Sequence, residues 1–331
     1  MKFKEQVPTF FLIILMLILL LIFYIKNDMD GDKVLNDKMV PTLISNLEDE
    51  NIVWAPTFGL IWNDLKNKIV KNDIVFLNDL NNQMALDLNQ EIFIESDINS
   101  NYIYKKYGYM TPSLKEEIKN DIFNKFKETS DILDDFNFED DSNNYFFYSM
   151  LVREFEFLYP FDILNDGEFG ITKNSKDELD LNIKVLYYKD YKNYAVLLNT
   201  KEQDEIILVK GLDTNNFLEG YQTLNFNNLE DFKEDDTISI SNINISIKDS
   251  FREVENKKFL VNDEEMFINK TLQVINFKMN NHGAKVKSEA GMEVNKTALV
   301  PTRHFDFTSD FTLFVKEKDK NLPYFALKVK N

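Results

Sequence analysis

Two histidines, His282 and His304, are the only imidazoles in the chain, and its 331 residues include no cysteine. Without thiols there is no thiolate nucleophile, no disulfide and no Cys-ligated metal, although an exported location stays open. A metal site needs three or four convergent ligands. Nothing spaced around either histidine supplies them, so each reads as an exposed or hydrogen-bonded side chain beside a loop. Glu154 and Glu156 are the best candidates for carboxylate acid–base chemistry. They belong, however, to a chain with 56 acidic against 38 basic residues, where a solvated face accounts for a given carboxylate better than a catalytic pair does. Asp28, Asp30, Gly31 and Asp32 have the crowding of a calcium loop, but the glycine is misplaced and Met39 stands where a closing bidentate glutamate is needed. These residues argue against an enzyme and imply no cofactor, no metal and no small-molecule substrate. The formal net charge of -18 argues equally against nucleic acid as a partner.

A mechanical pattern is clearer than any catalytic one. From Ala284 onward, alternate residues are Ala284, Val286, Ser288, Ala290, Met292 and Val294, with Lys285, Lys287, Glu289, Gly291, Glu293 and Asn295 between them. One face is small or apolar and the other mostly charged, the period of a strand with one buried side. Such a segment is either an ordinary half-buried strand or one able to enter a sheet.

The elements around it fall into three parts. Val7 to Ile25 holds about 19 residues without a charge, close to the length that crosses a bilayer, and is apolar on every face. Tyr24, Ile25, Lys26 and Asn27 lack the small residues of a cleavage site, which favours a retained anchor over a signal peptide. Lys2 and Lys4 before it favour a cytoplasmic N-terminus, with residues 1–6 as a tail, 7–25 as the anchor, 26–36 as a linker and the rest outside the cytoplasm. The first part of the outer region reads as helical: Asp37 to Glu50, a segment after Pro56 with Leu60, Ile61, Leu65 and Ile69 on one face, Asp73 to Leu88, and Pro112 or Ser113 to Lys127 with Leu114, Ile118, Ile122, Phe123 and Phe126 aligned. Asn51 to Trp54 interrupts them as a short strand. From Tyr145 strand signals take over. They include Lys184 to Tyr188, Tyr194 to Leu198, Glu205 to Val209, and Thr237 to Ile247, whose alternation slips at Asn242. Helices followed by sheet indicate an α+β domain.

Several segments, in order, resemble the serpin family. NIVWAPTFGL (Asn51 to Leu60) is similar to the family's early strand-to-helix passage, and SMLVREFEFLYPFD (Ser149 to Asp162) to the central strand of its large sheet and the closing Pro-Phe. MFINKTLQVINFKMNNHGAKV (Met266 to Val286) resembles the strand leading into the reactive loop, with Asn280, Asn281, His282 and Gly283 at the hinge. HFDFTSDFTLFVKEKDKNLPYFALKVKN (His304 to Asn331) resembles the closing strands. The matches cover most of the chain from Asp37 on, and a serpin-like domain is expected over 37–331 with its reactive loop at about 283–305.

The resemblance implies an exposed loop that a target serine or cysteine protease cuts, after which the hinge side inserts into the large sheet and the acylated protease is trapped. Gly283 would be the pivot, with Ala284 and Val286 entering first. Counting as the family does puts the scissile bond among Lys296, Thr297, Ala298 and Leu299. The chain also departs from the family. Its helical part is shorter, Ala55 and Phe58 replace small serines under the opening sheet, Phe157 replaces a tryptophan, and Gln273 replaces a buried histidine. Lys285 and the bulkier Val286 also differ from the usual hinge. The functions implied are a membrane-tethered protease inhibitor or, because of these departures, a non-inhibitory binding or structural module on the same fold.

Overall fold

The computed structural model describes residues 33–34, 37–140, 143–165, 167–173, 175, 177–283 and 303–330. Three segments carry apolar residues at consecutive rather than alternate positions, the mark of strands covered on both faces. They are Asn193–Asn199, Asp204–Lys210 and Phe311–Glu317, and they pair antiparallel as neighbours at the centre of an eight-stranded sheet. Ile183–Asp190 and Glu230–Asp231 extend it on one side, and Phe325–Val329, Asn51–Trp54 and Asp37–Met39 on the other. Its interior strands hold Val196, Leu208, Leu313 and Ala326 with no exposed surface. A four-stranded sheet of His304–Phe307, Thr237–Ser241, Glu168–Ile171 and Asp162–Asn165 joins the same core through Phe305 and Phe307, whose rings meet Tyr194 edge-on.

Besides the hairpin of Lys258–Val261 and Glu264–Phe267, the described residues form two further pairings. Ile103–Tyr109 pairs antiparallel with Tyr145–Leu151, and Ile243–Asp249 pairs antiparallel with Gln273–Met279. The alternation slip at Asn242 marks the place where the chain leaves the four-stranded sheet, in Thr237–Ser241, and joins the second pair. The strands expected at Lys184, Tyr194 and Glu205 are present, each two or three residues longer than the sequence indicates.

The helices correct the sequence reading in part. Pro112–Phe126 starts on Thr111, whose hydroxyl accepts from the Leu114 amide, and ends on Lys127 in the left-handed region at φ 61°. Leu114, Ile118 and Ile122 are buried as expected, but Phe123 is 55% exposed and lies off the buried face. Thr57–Asp64 follows Pro56 and runs into a wider turn, Leu65–Val70. Asp37 to Glu50 forms no helix. Asp37–Met39 is a strand, and Val40 donates to the Val53 carbonyl immediately before Pro41, whose ring biases the preceding residue toward extended backbone. Asp73 to Leu88 is helical only over Gln83–Asn89, capped by the Asn82 side chain. Upstream, buried Ile74 and Phe76 alternate with exposed Val75 and Leu77, a period of two that a helix cannot satisfy. The short helix Phe217–Gln222 was not anticipated.

Among the described residues no helix is long and apolar enough to cross a membrane. Val7 to Ile25 lies outside them.

Candidate functional site

Tyr145–Leu151 and Gln273–Met279 each close one end of their sheet, so each keeps an edge with no strand partner among the described residues. Unpaired edges are templates for another strand. Here they flank a single groove of about 770 Å³. Phe58, Ile61 and Leu65 from the Thr57–Asp64 helix and its following turn line it, as do Phe155, Phe277 and Phe325. Phe277 stacks on Phe325 with ring centres 4.3 Å apart, which fixes the second wall against the eight-stranded sheet. The first wall has a core of its own: Leu114, Ile118 and Ile122 pack with Leu133, Phe146 and Tyr148, separately from the main core. The strand pair and its helix therefore carry a small core of their own, joined to the main core through Leu151.

One threonine ties the two walls across the floor. The Thr57 carbonyl accepts from the Ser149 hydroxyl at 2.8 Å, on the first wall. Its own hydroxyl accepts from the Gln273 amide at 2.7 Å, on the second, and that amide also reaches the Ala55 carbonyl at 3.2 Å. Gln273 is 3% exposed, and its Oε1 has no hydrogen-bond partner among the described residues. An unsatisfied buried acceptor is costly, so the groove holds a place where an incoming N–H would be favoured. Gln273, which stands where the resembled family has a buried histidine, thus makes hydrogen bonds from that position. Thr57 and Ser149 had no signal in the sequence, because their roles depend on contacts between distant segments.

Beside the groove lies a buried charge pair. The Arg153 guanidinium meets Asp204 through two contacts, at 2.6 Å and 3.0 Å, with its face 3.5 Å from the Tyr102 ring centre. Tyr324 donates its hydroxyl to Asp204 at 2.9 Å. Burial raises the Asp204 carboxyl above its ordinary pKa, more than Arg153 and Tyr324 pull it down. Burial raises the Tyr324 phenol as well, reinforced by the Asp204 charge.

The turn that carries the expected hinge residue Gly283 stands past the end of the second wall. The chain reverses over Asn280 to Gly283, closed by Asn280 N–H to the Gly283 carbonyl at 2.8 Å and Gly283 N–H to the Asn280 carbonyl at 3.1 Å. This turn is pinned to the segment beyond the first wall: the Phe157 and Phe161 amides donate to the His282 and Asn281 carbonyls. Gly283 has φ +116°, and a Cβ there would come within 2.4 Å of the Phe155 carbonyl oxygen and 2.7 Å of the Glu156 Cα. Only glycine combines that backbone with that proximity. Gly283→Ala should therefore destabilise the domain by about 1–3 kcal/mol, read as a lower urea midpoint with an unchanged slope.

The chain returns at Arg303, held by Asp236 at 2.6 Å and Glu230 at 2.9 Å, with its guanidinium pKa raised chiefly by the Asp236 hydrogen bond. Both ends of the expected loop are thus fastened. Ala284, Val286, Lys296, Thr297, Ala298 and Leu299 lie outside the described residues.

The remaining candidates behave as ordinary polar groups. Glu156 pairs with Lys201 at 2.6 Å, and that hydrogen bond holds its carboxyl below the usual range. Glu154 is exposed. His304 Nδ1 is 2.7 Å from the Thr237 hydroxyl, and no cluster of ligands able to hold a metal occurs among the described residues. Phe157, in the tryptophan position, is fully buried against Phe161 and Phe169.

No protein-family model and no curated protein matches the sequence. Solved structures do. The thermophilic serpin tengpin in its native state aligns at a TM-score of 0.53 and 12% identity, over 92% of this chain and 98% of that one. Serpin48 of the insect Tenebrio molitor aligns at 0.47 and 10%, over 86% and 92%. Human thyroxine-binding globulin complexed with thyroxine aligns at 0.46 and 12%, over 86% and 92%. At these identities the likeness is one of fold, and the alignment with tengpin carries it. The fold is serpin-like.

Proposed function

We propose that the chain is a membrane-tethered, serpin-like inhibitor of serine or cysteine proteases, which acts by loop cleavage, strand insertion and trapping of the acyl-enzyme. The observation that supports this reading is the groove between Tyr145–Leu151 and Gln273–Met279, with an edge on each side that is unpaired among the described residues and the Gly283 turn past one end. The segment after Gly283 has the matching period, small or apolar residues alternating with charged ones. The protein supplies no catalytic group. The protease does its own chemistry as far as the acyl-enzyme, transferring the carbonyl at the scissile bond to its nucleophile and releasing the new amine. Insertion of the hinge side then removes the acyl bond from its water and base. The energy comes from strand pairing and burial, and the specificity from Lys296, Thr297 or Leu299 presented to the protease. In this reading Val7 to Ile25 is a retained anchor, with residues 1–6 cytoplasmic and the domain on the other side.

A second reading is a binding or structural module on the same fold. The Thr57 ties across the groove and the hydrogen bonds that fix Asn280 to Gly283 favour it, since both hold the loop out of the sheet. Incubation with trypsin-like, elastase-like and subtilisin-like proteases separates the two. The inhibitor should give a complex that survives denaturing electrophoresis, with a new terminus between Asn295 and Leu299 by mass spectrometry. Cleavage there with no trapped protease would select the module instead.

A further inference from the structure

Lys33–Val34 adds to the outer edge of the groove's second wall, parallel to Ile243–Asp249, with Lys33 opposite Ile243 and Val34 opposite Asn244. Ile243 in turn lies opposite Met279, one residue before the hinge turn. Two strand spacings therefore separate Lys33 from the hinge end of the wall, about 10 Å. The direction matters as much as the position. A strand parallel to Ile243–Asp249 runs from the hinge end toward the far end, where Asp249 meets Gln273, so the chain enters the domain at the hinge end.

Between Ile25 and Lys33 stand residues 26–32, which span roughly 25 Å at full stretch. We propose, on the reading that Val7 to Ile25 is a retained anchor, that the loop-bearing end of the domain faces the bilayer and that its partner is a membrane-anchored protease of the same bilayer. The clearance argues for this partner. A free protease of about 230 residues measures roughly 45 Å across, more than the tether allows between the hinge end and the membrane. An enzyme whose cleft already sits close to the lipid surface meets the loop from the side, and shared tethering raises its effective concentration. The strand pairing at Lys33 matters because it fixes the domain's direction. A tether leaving from the Asp249 end would present the loop to soluble enzymes.

The chain has no cysteine, so single labels are readily introduced. Lys278→Cys marks the hinge end and Asn269→Cys the far end, both at exposed positions. The full chain is reconstituted in phosphatidylcholine vesicles carrying an acceptor-labelled lipid, and each label is read by energy transfer. Lys278→Cys should transfer more efficiently than Asn269→Cys. Soluble subtilisin should also cut the vesicle-bound chain about ten-fold more slowly than a variant with a flexible insert of roughly 40 residues after Gly31, whose reach relieves the crowding. Equal or reversed transfer, or equal cutting rates, overturns the orientation while leaving the anchor intact. Release of the chain from the vesicles by alkaline carbonate overturns the anchor and, with it, the orientation.

Discussion

Cleavage between Asn295 and Leu299 should raise the midpoint of thermal unfolding by about 10 °C, reported by scanning calorimetry on cut and uncut protein. Three terms set the size. Ala284, Val286, Ala290, Met292 and Val294 on the buried side would remove on the order of 400 Å² of apolar surface from water, worth about 10 kcal/mol. Pairing along both groove edges adds about a dozen hydrogen bonds at ~1 kcal/mol each. Ordering about a dozen residues costs about 18 kcal/mol. The surplus of about 4 kcal/mol corresponds to about 10 °C at ~2–4 °C per kcal/mol for a domain of this size. Before the cut the gain is withheld, because Gly283 is pinned at one end of the loop and Arg303 at the other. A cut protein with an unchanged midpoint would mean that the groove stays empty.

The second large effect comes from the buried pair beside the groove. Asp204→Ala leaves the Arg153 guanidinium, 6% exposed, with Tyr102 and no counter-charge, and should cost about 3–5 kcal/mol or a fall of about 10 °C. The pair itself is not a large source of stability. Burial already raises the Asp204 carboxyl despite Arg153 and Tyr324, so for this group the desolvation cost outweighs the attraction. Arg153→Met combined with Asp204→Leu should therefore recover most of the loss. Recovery in the double variant, measured by urea unfolding, separates a stranded charge from a lost packing contact.

Much of the strand framework was legible because it depends on local pattern. Tyr194 to Leu198 and Glu205 to Val209 read as strands, which the structure places at the centre of the large sheet, and the slip at Asn242 falls where the chain passes from one sheet to another. The helices misread as longer were those whose apolar residues fit more than one period. Met39, Val40 and Leu43 face the core from a strand and a turn, and Ile74 and Phe76 from extended chain. The site divided in the same way. Gly283 and Gln273 could be found because the resemblance singled them out. The Thr57 ties join residues 92 and 216 positions apart, and Arg153 meets Asp204 across 51 positions, so no local pattern announced either. The parting of the two strand pairs is likewise a tertiary fact: each edge has a strand's sequence, whatever stands next to it.

Hydrogen exchange on the uncut and cut protein, followed peptide by peptide, tests strand acceptance most directly. Insertion of the hinge side gives the groove-facing amides of both walls a partner, so exchange over Tyr145–Leu151 and over Gln273–Met279 should slow together, by about 100-fold or more. If cleavage leaves both strands exchanging as before, or slows one and not the other, the loop has not become the strand between them and the account of trapping fails.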